Sequence, residues 1–139
     1  MPSSHSWQPV LAALVLAAVF STALAAEDHP AVALVKSKVK DPSKPFALLV
    51  PMRVKAGKQN EFEAAFAVCI AATKKEPGCL AYELNWDADD PTAYVMFEKF
   101  KNVAALEDHL KQDHTKKIFK AMESVADGEI KAKVYIVPE

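Results

Sequence analysis

Only three glycines and two cysteines occur among the 139 residues, and neither sign of charge prevails. Each scarcity removes a class of function. No GxGxxG or GxxxxGK(S/T) loop is present to cradle a phosphate, and there is no GxSxG elbow, CxxC pair or HExxH helix. Seventeen basic residues stand against eighteen acidic ones, a formal charge of -1, so no strong field points to nucleic acid or an anionic membrane as partner. Cys69 and Cys79 match no metal-ligand spacing. Helical residues from Cys69 to Glu76 separate the two by roughly 10 Å along the axis, whereas a bridge needs Cα atoms within about 7 Å. Both cysteines therefore read as small buried apolar side chains rather than a disulfide. Internal repeats and low-complexity segments are also missing.

Hydrophobic residues make up 51% and charged residues 25%, which suits one packed domain. The N-terminus differs in kind. Val10 to Ala26 carries no charge and closes on Ala23-Leu24-Ala25, an A-x-A pattern. Residues 1–25 are thus expected to be a signal peptide cleaved after Ala25, placing the protein in the periplasm or outside the cell. An N-terminal membrane anchor is the alternative, although the run is short for a span of about 20 residues. Residues 26–45, punctuated by Pro30, Pro42 and Pro45, read as an arm; Val32, Val35 and Val39 have helical spacing within it. The domain proper is residues 46–139.

Phe46 to Val54 alternates like a strand, with Phe46, Leu48, Val50, Met52 and Val54 on one face; Pro51 implies an edge position or a bulge. Gln59 to Glu76 reads as a helix with Phe62, Phe66, Cys69, Ile70 and Thr73 on its stripe, stopped by Pro77-Gly78. Leu80 to Trp86 and Ala93 to Phe100 form a hairpin across DADDPT. Asn102 is placed to cap a second helix with Leu106 and Leu110 inward, and Asp113 to cap a further segment carrying Ile118, Met122 and Val125. Ile130 to Val137 alternates as a last strand. The order β-α-β-β-α-β is the split βαβ arrangement, an α+β fold of the ferredoxin-like kind with helices on one face of an antiparallel sheet. Helices on one side leave the other sheet face uncovered, and pairing of two copies through that face, as a dimeric α/β barrel, is the expected remedy. Cover by the N-terminal arm is the alternative.

Three strings, KAGKQNEFEAAF, KKEPGCLAYEL and YVMFEKFKNVAALEDHLKQDH, together resemble the antibiotic biosynthesis monooxygenase (ABM) family, from Phe46 to Pro138. The resemblance implies a dimeric ferredoxin-like fold with a pocket between sheet and helices. Several members oxidise quinols or phenols with O2 and use no metal, flavin or haem, so no cofactor is expected. Haem-degrading relatives carry an Asn, a His and a Trp where this chain has Val50, Phe119 and His109, and these three departures count against that branch.

Cofactor-free oxygenation needs a base near neutrality, hydrogen-bond donors and an apolar aromatic pocket. His109, between Leu106 and Leu110, is the expected base, with Glu98 holding its tautomer and Tyr82 stacking on a ring substrate. Glu98 is otherwise an isolated carboxylate in the apolar run YVMFEKF, where burial without a partner is costly. His114, Asn85 and Phe100 are the candidates for substrate contacts. A metal held by His109 and His114 lacks a nameable third ligand, and a separation of five residues suits one helix face poorly. The predicted activity is monooxygenation of a quinol or phenolic small molecule by O2. A non-catalytic ligand-binding dimer and a His-dependent isomerase of the same fold are the alternatives.

Overall fold

A computed structural model describes residues 28–138; the expected leader and its cleavage point after Ala25 lie outside the described residues. The elements are α1 (Pro30–Lys38), β1 (Phe46–Arg53), α2 (Gln59–Thr73), β2 (Cys79–Trp86), β3 (Ala93–Phe100), α3 (Val103–Lys111), α4 (Asp113–Val125) and β4 (Lys133–Ile136). The strands form one antiparallel sheet in the order β2-β3-β1-β4. Phe46, Leu48, Val50 and Met52 of β1 stand opposite Phe100, Glu98, Met96 and Tyr94 of β3, and Tyr82 of β2 stands opposite Glu98. This face meets the helices through Phe62 and Phe66 of α2, Leu106 of α3, and Ile118 and Met122 of α4, all buried. No helix among the described residues is long and apolar enough to cross a membrane.

Pro51 is not on an edge strand, because β1 lies between β3 and β4. The backbone of Arg53 and Lys55 bonds toward residues 125–127, whereas Val54 bonds toward Thr92. By the two-residue period of a strand, Pro51 faces the β4 side, and β4 pairs only with Phe46 to Leu49. The missing N–H therefore falls where no partner strand runs.

Helix α2 ends at Thr73 rather than Glu76. Pro77 bars the α conformation from the residue before it, and the chain tightens through Lys75 N–H to Ala72 O and Glu76 N–H to Thr73 O. Gly78 is not a left-handed cap; only Gly57 and Gly128 have positive φ among the described residues. Its role is clearance, since a Cβ there would stand 2.3 Å from Ala105 Cβ. Asn102 caps α3 as expected, its Oδ1 accepting from Ala105 N–H at 2.9 Å. Gln112, not Asp113, separates α3 from α4, with an extended backbone that breaks the helix. The last strand is shorter than the alternation of residues 130–137 implied.

The arm folds back rather than dangling. Val32 and Val35 of α1 are fully buried in the common core, on the helix side of the sheet. It does not cover the opposite face, where Leu49, Val95 and Phe97 are only half-buried. Both cysteines are free.

Candidate functional site

Between the sheet and α3 lies a cavity of about 540 Å³, whose lining includes Leu48, Val50, Tyr82, Glu98, Leu106 and His109. Its wall is mostly apolar, as a ring-shaped ligand requires. A larger groove, about 680 Å³, runs past Met52, Trp86 and Tyr94, but its acidic residues are exposed and it holds no histidine. The smaller cavity is the one that gathers His109, Glu98 and Tyr82.

His109 is 2% exposed, and its ring packs at tilted angles on Tyr82 and Phe100, with centroids 5.3 Å and 5.2 Å away. Its Nδ1 lies 3.0 Å and 3.1 Å from the two carboxylate oxygens of Glu76. A carboxylate only accepts, so Nδ1 carries the hydrogen and Nε2 keeps the lone pair. Thr115 Oγ1 stands at 3.4 Å and 3.5 Å from the two ring nitrogens, too far to compete with Glu76. Burial lowers the His109 pKa from its ordinary 6.5; the Glu76 carboxylate opposes that shift without cancelling it. The imidazole is therefore neutral at pH 7, which a base must be.

The partner of His109 is thus Glu76 and not Glu98. Glu98 projects from β3 into the cavity beside Tyr82, half-buried, with no hydrogen bond or ion pair among the described residues. Burial, and then the nearby Glu76 charge, push its carboxyl up to about 8, so it is a neutral acid able to donate at pH 7. Tyr82 is 3% exposed with its OH 3.9 Å from Cys69 Sγ; burial first, then the Glu98 charge, raise its pKa far out of the physiological range. It offers a ring and never a phenolate.

The proposed contact residues fare differently. His114 does not line the cavity; its Nε2 binds Glu76 Oε1 at 2.6 Å. The break at Gln112 puts His109 and His114 on separate helices, so the five-residue spacing ceases to matter and both reach one carboxylate. Phe100 is fully buried behind His109, against Phe46, and has no surface for a ligand. Asn85 lies on the opposite face of the sheet, where its one side-chain contact among the described residues is with the Glu83 carbonyl at 3.5 Å. Glu76 was legible as part of EPGCLAYEL, but only the fold shows that the turn after α2 delivers it to α3.

Glu76, His109 and His114 place their ligand atoms within 4.8 Å of one another, the one such group among the described residues. Their contacts of 2.6–3.1 Å are those of hydrogen bonds, whereas ligands around a tetrahedral ion stand about 3.3 Å apart. The trio is satisfied internally, as a carboxylate clamping two imidazoles.

The sequence profile of the family described as antibiotic biosynthesis monooxygenase matches residues 45–121. A solved structure from Caulobacter crescentus, a candidate antibiotic biosynthesis monooxygenase, superposes with a TM-score of 0.67 at 26% identity, covering 70% of this chain and 93% of its own. A conserved protein of Methanosarcina mazei does so with a TM-score of 0.64 at 27% identity, over 68% of this chain and 94% of its own. An uncharacterised protein of Synechocystis is 26% identical over 101 residues, 73% of this chain and 69% of that one. With the profile covering more than half of its length and the same fold in these relatives, the chain belongs to the antibiotic biosynthesis monooxygenase family.

Proposed function

We propose that the protein is a cofactor-independent monooxygenase that oxidises a quinol or phenol with O2. The observation that carries this reading is the neutral base and neutral acid facing one apolar cavity, His109 held by Glu76 on one side and Glu98 on the other. Two titratable groups with pKa values pushed apart by their surroundings are the mark of an assigned base and acid.

In this reading His109 Nε2 takes the hydroxyl proton of the substrate, and the resulting imidazolium is stabilised by Glu76. Glu98 donates its O–H to the phenolate oxygen, and the apolar wall keeps water away. The phenolate gives one electron to O2; the ring radical and superoxide recombine to a peroxide, which loses water to leave a quinone. The balance is one phenol and one O2 to one quinone and one water, and a quinol gives the hydroxyquinone by the same count. The electrons come from the substrate. The protein acts as a homodimer paired through the open sheet face and is exported by its apolar leader.

The test is oxygen consumption by purified, chelator-treated protein against hydroquinones and phenols, beside His109→Ala. Uptake above autoxidation that disappears in the variant supports the reading. Uptake unchanged in His109→Ala sinks the base assignment, and no uptake across the panel replaces catalysis with ligand binding.

A further inference from the structure

Helix α1 precedes residue 45, where the family match begins, yet it forms one side of the cavity. Leu34 faces the space from α1, half-buried, across from Leu48 and Tyr82 of the sheet. At its end the His29 ring lies nearly parallel to Phe119 of α4, with centroids 5.4 Å apart and planes 12° from one another, and both rings line the cavity. The helix is held by burial: Val32 and Val35 are 2% and 0% exposed. Lys36, bridging Asp28 at 3.0 Å and Glu107 at 2.8 Å, adds only a surface tie to α3.

We propose that α1 is the specificity wall of this enzyme: Leu34 and the His29–Phe119 stack set how many fused rings an aromatic ligand can bring into the cavity. The inference rests on the reading of the cavity as an aromatic site. A flat hydroxylated ring entering beside Tyr82 has its catalytic edge at His109 and Glu98 and its far edge toward the wall to which α1 contributes His29, Pro30, Ala31 and Leu34. A domain without this helix would leave that edge open to solvent and place no limit on ligand length. Leu34 is suited to the task because its side chain contributes volume to the cavity while its neighbours Val32 and Val35 carry the packing.

The experiment measures binding of phenol, 2-naphthol and 2-hydroxyanthracene to the full chain under argon, so that affinity is read without turnover. Leu34→Ala is expected to shift the preference toward the three-ring ligand by about tenfold, the effect of a small apolar volume change in a pocket. Leu34→Trp is expected to shift it as far toward phenol, and His29→Ala to weaken the two larger ligands only. Far-UV circular dichroism verifies that each variant is folded, and if Leu34→Trp is not, Leu34→Ala decides. Binding with unchanged ratios in Leu34→Ala overturns the role of α1 and leaves the cavity reading standing. A wild-type chain that binds none of the three overturns both.

Discussion

Glu76 reaches His109 across 33 positions of sequence, its two oxygens 3.0 Å and 3.1 Å from the same Nδ1. The symmetry of that contact leaves the imidazole one hydrogen-bonded orientation and one tautomer. Glu76→Gln keeps the shape but presents an amide that can offer either an oxygen or an N–H. The expected outcome is a fall of roughly 10- to 100-fold in kcat/KM, the usual cost of losing a group that orients a histidine. Combined with His109→Ala, the second change should cost nothing more, because both act through one ring. Full additivity in the steady-state kinetics of the double variant would contradict the orienting role.

The pH profile tests acid and base together. Burial lowers His109 below 6.5, so the base becomes available as pH rises and is mostly neutral by pH 7. Glu98 is raised to about 8, so the acid is lost as pH rises through that value. The expected kcat/KM climbs on the acidic side of 6.5, holds near neutrality and falls through about 8. Glu98→Gln should remove the alkaline fall and leave the acidic limb in place. A profile of Glu98→Gln identical to that of the wild type would assign the alkaline limb elsewhere.

The same carboxyl makes stability depend on pH. Its folded pKa of about 8 exceeds its ordinary 4.5, so the folded state holds the proton more tightly. The stabilisation is complete below 4.5 and is lost as pH climbs through about 8. Wild-type protein should therefore lose stability across this window while Glu98→Gln does not. By pH 9 the gap should be on the order of 2 kcal/mol, after discounting for water reaching the half-open cavity. Urea unfolding at pH 4.5 and pH 9 measures it; equal gaps at both values would mean Glu98 is not held neutral.

The alternation in Phe46–Arg53 and the apolar stripe of Gln59–Thr73 were enough to place β1 and α2, because each depends on local period alone, and the succession of elements along the chain then named the split βαβ plan. His109, Glu98 and Tyr82 also come together at one cavity as their types suggested. What local period cannot carry is contact between distant turns. Glu76 looked like the end of a helix, His114 like a residue out of phase, and Asn85 like a substrate contact. The break at Gln112 moves His114, the turn before Pro77 moves Glu76, and the strand's alternation sends Asn85 to the other face. The arm was legible as a helix, but its burial against the core depends on tertiary packing that spacing does not encode.

Gly78 sets the approach between the start of β2 and the first turn of α3. Its carbonyl accepts from Lys101 N–H at 3.0 Å, and a Cβ would meet Ala105 Cβ at 2.3 Å. Both clashing atoms belong to short, buried side chains, so neither can swing aside. Gly78→Ala must push α3 outward and carry His109 away from Glu76. The expected cost is about 1–3 kcal/mol of stability, as for other overpacked sites, together with lost activity. Gly78→Ala with Ala105→Gly should recover much of both. Thermal unfolding of the single and double variants reads the coupling, and a single variant as stable as wild type would show that the backbone yields there.

Phe97 occupies the middle of the sheet face that the helices leave bare, between Leu49 of β1 and Glu83 of β2. With three strands of eight residues and one of four, about 4.8 Å apart and rising about 3.3 Å per residue, that face offers about 440 Å² per copy. Two such faces, with overhanging side chains and adjoining loops, reach the range of about 1,200 Å² at which stable dimers begin. In a dimer paired this way the central position would give Phe97 a large share of the contact, whereas a rim residue would contribute little. Phe97→Lys puts a charge at the centre of both copies, and within its own chain that charge has Glu83 directly opposite. The folded subunit should therefore survive while the dimer does not. Sedimentation equilibrium is expected to give twice the chain mass for the wild type and a single chain for the variant, with matching circular dichroism. A wild-type protein that sediments as one chain at micromolar concentration would leave the bare face unexplained by pairing, and the functional unit would then be the monomer with its own cavity.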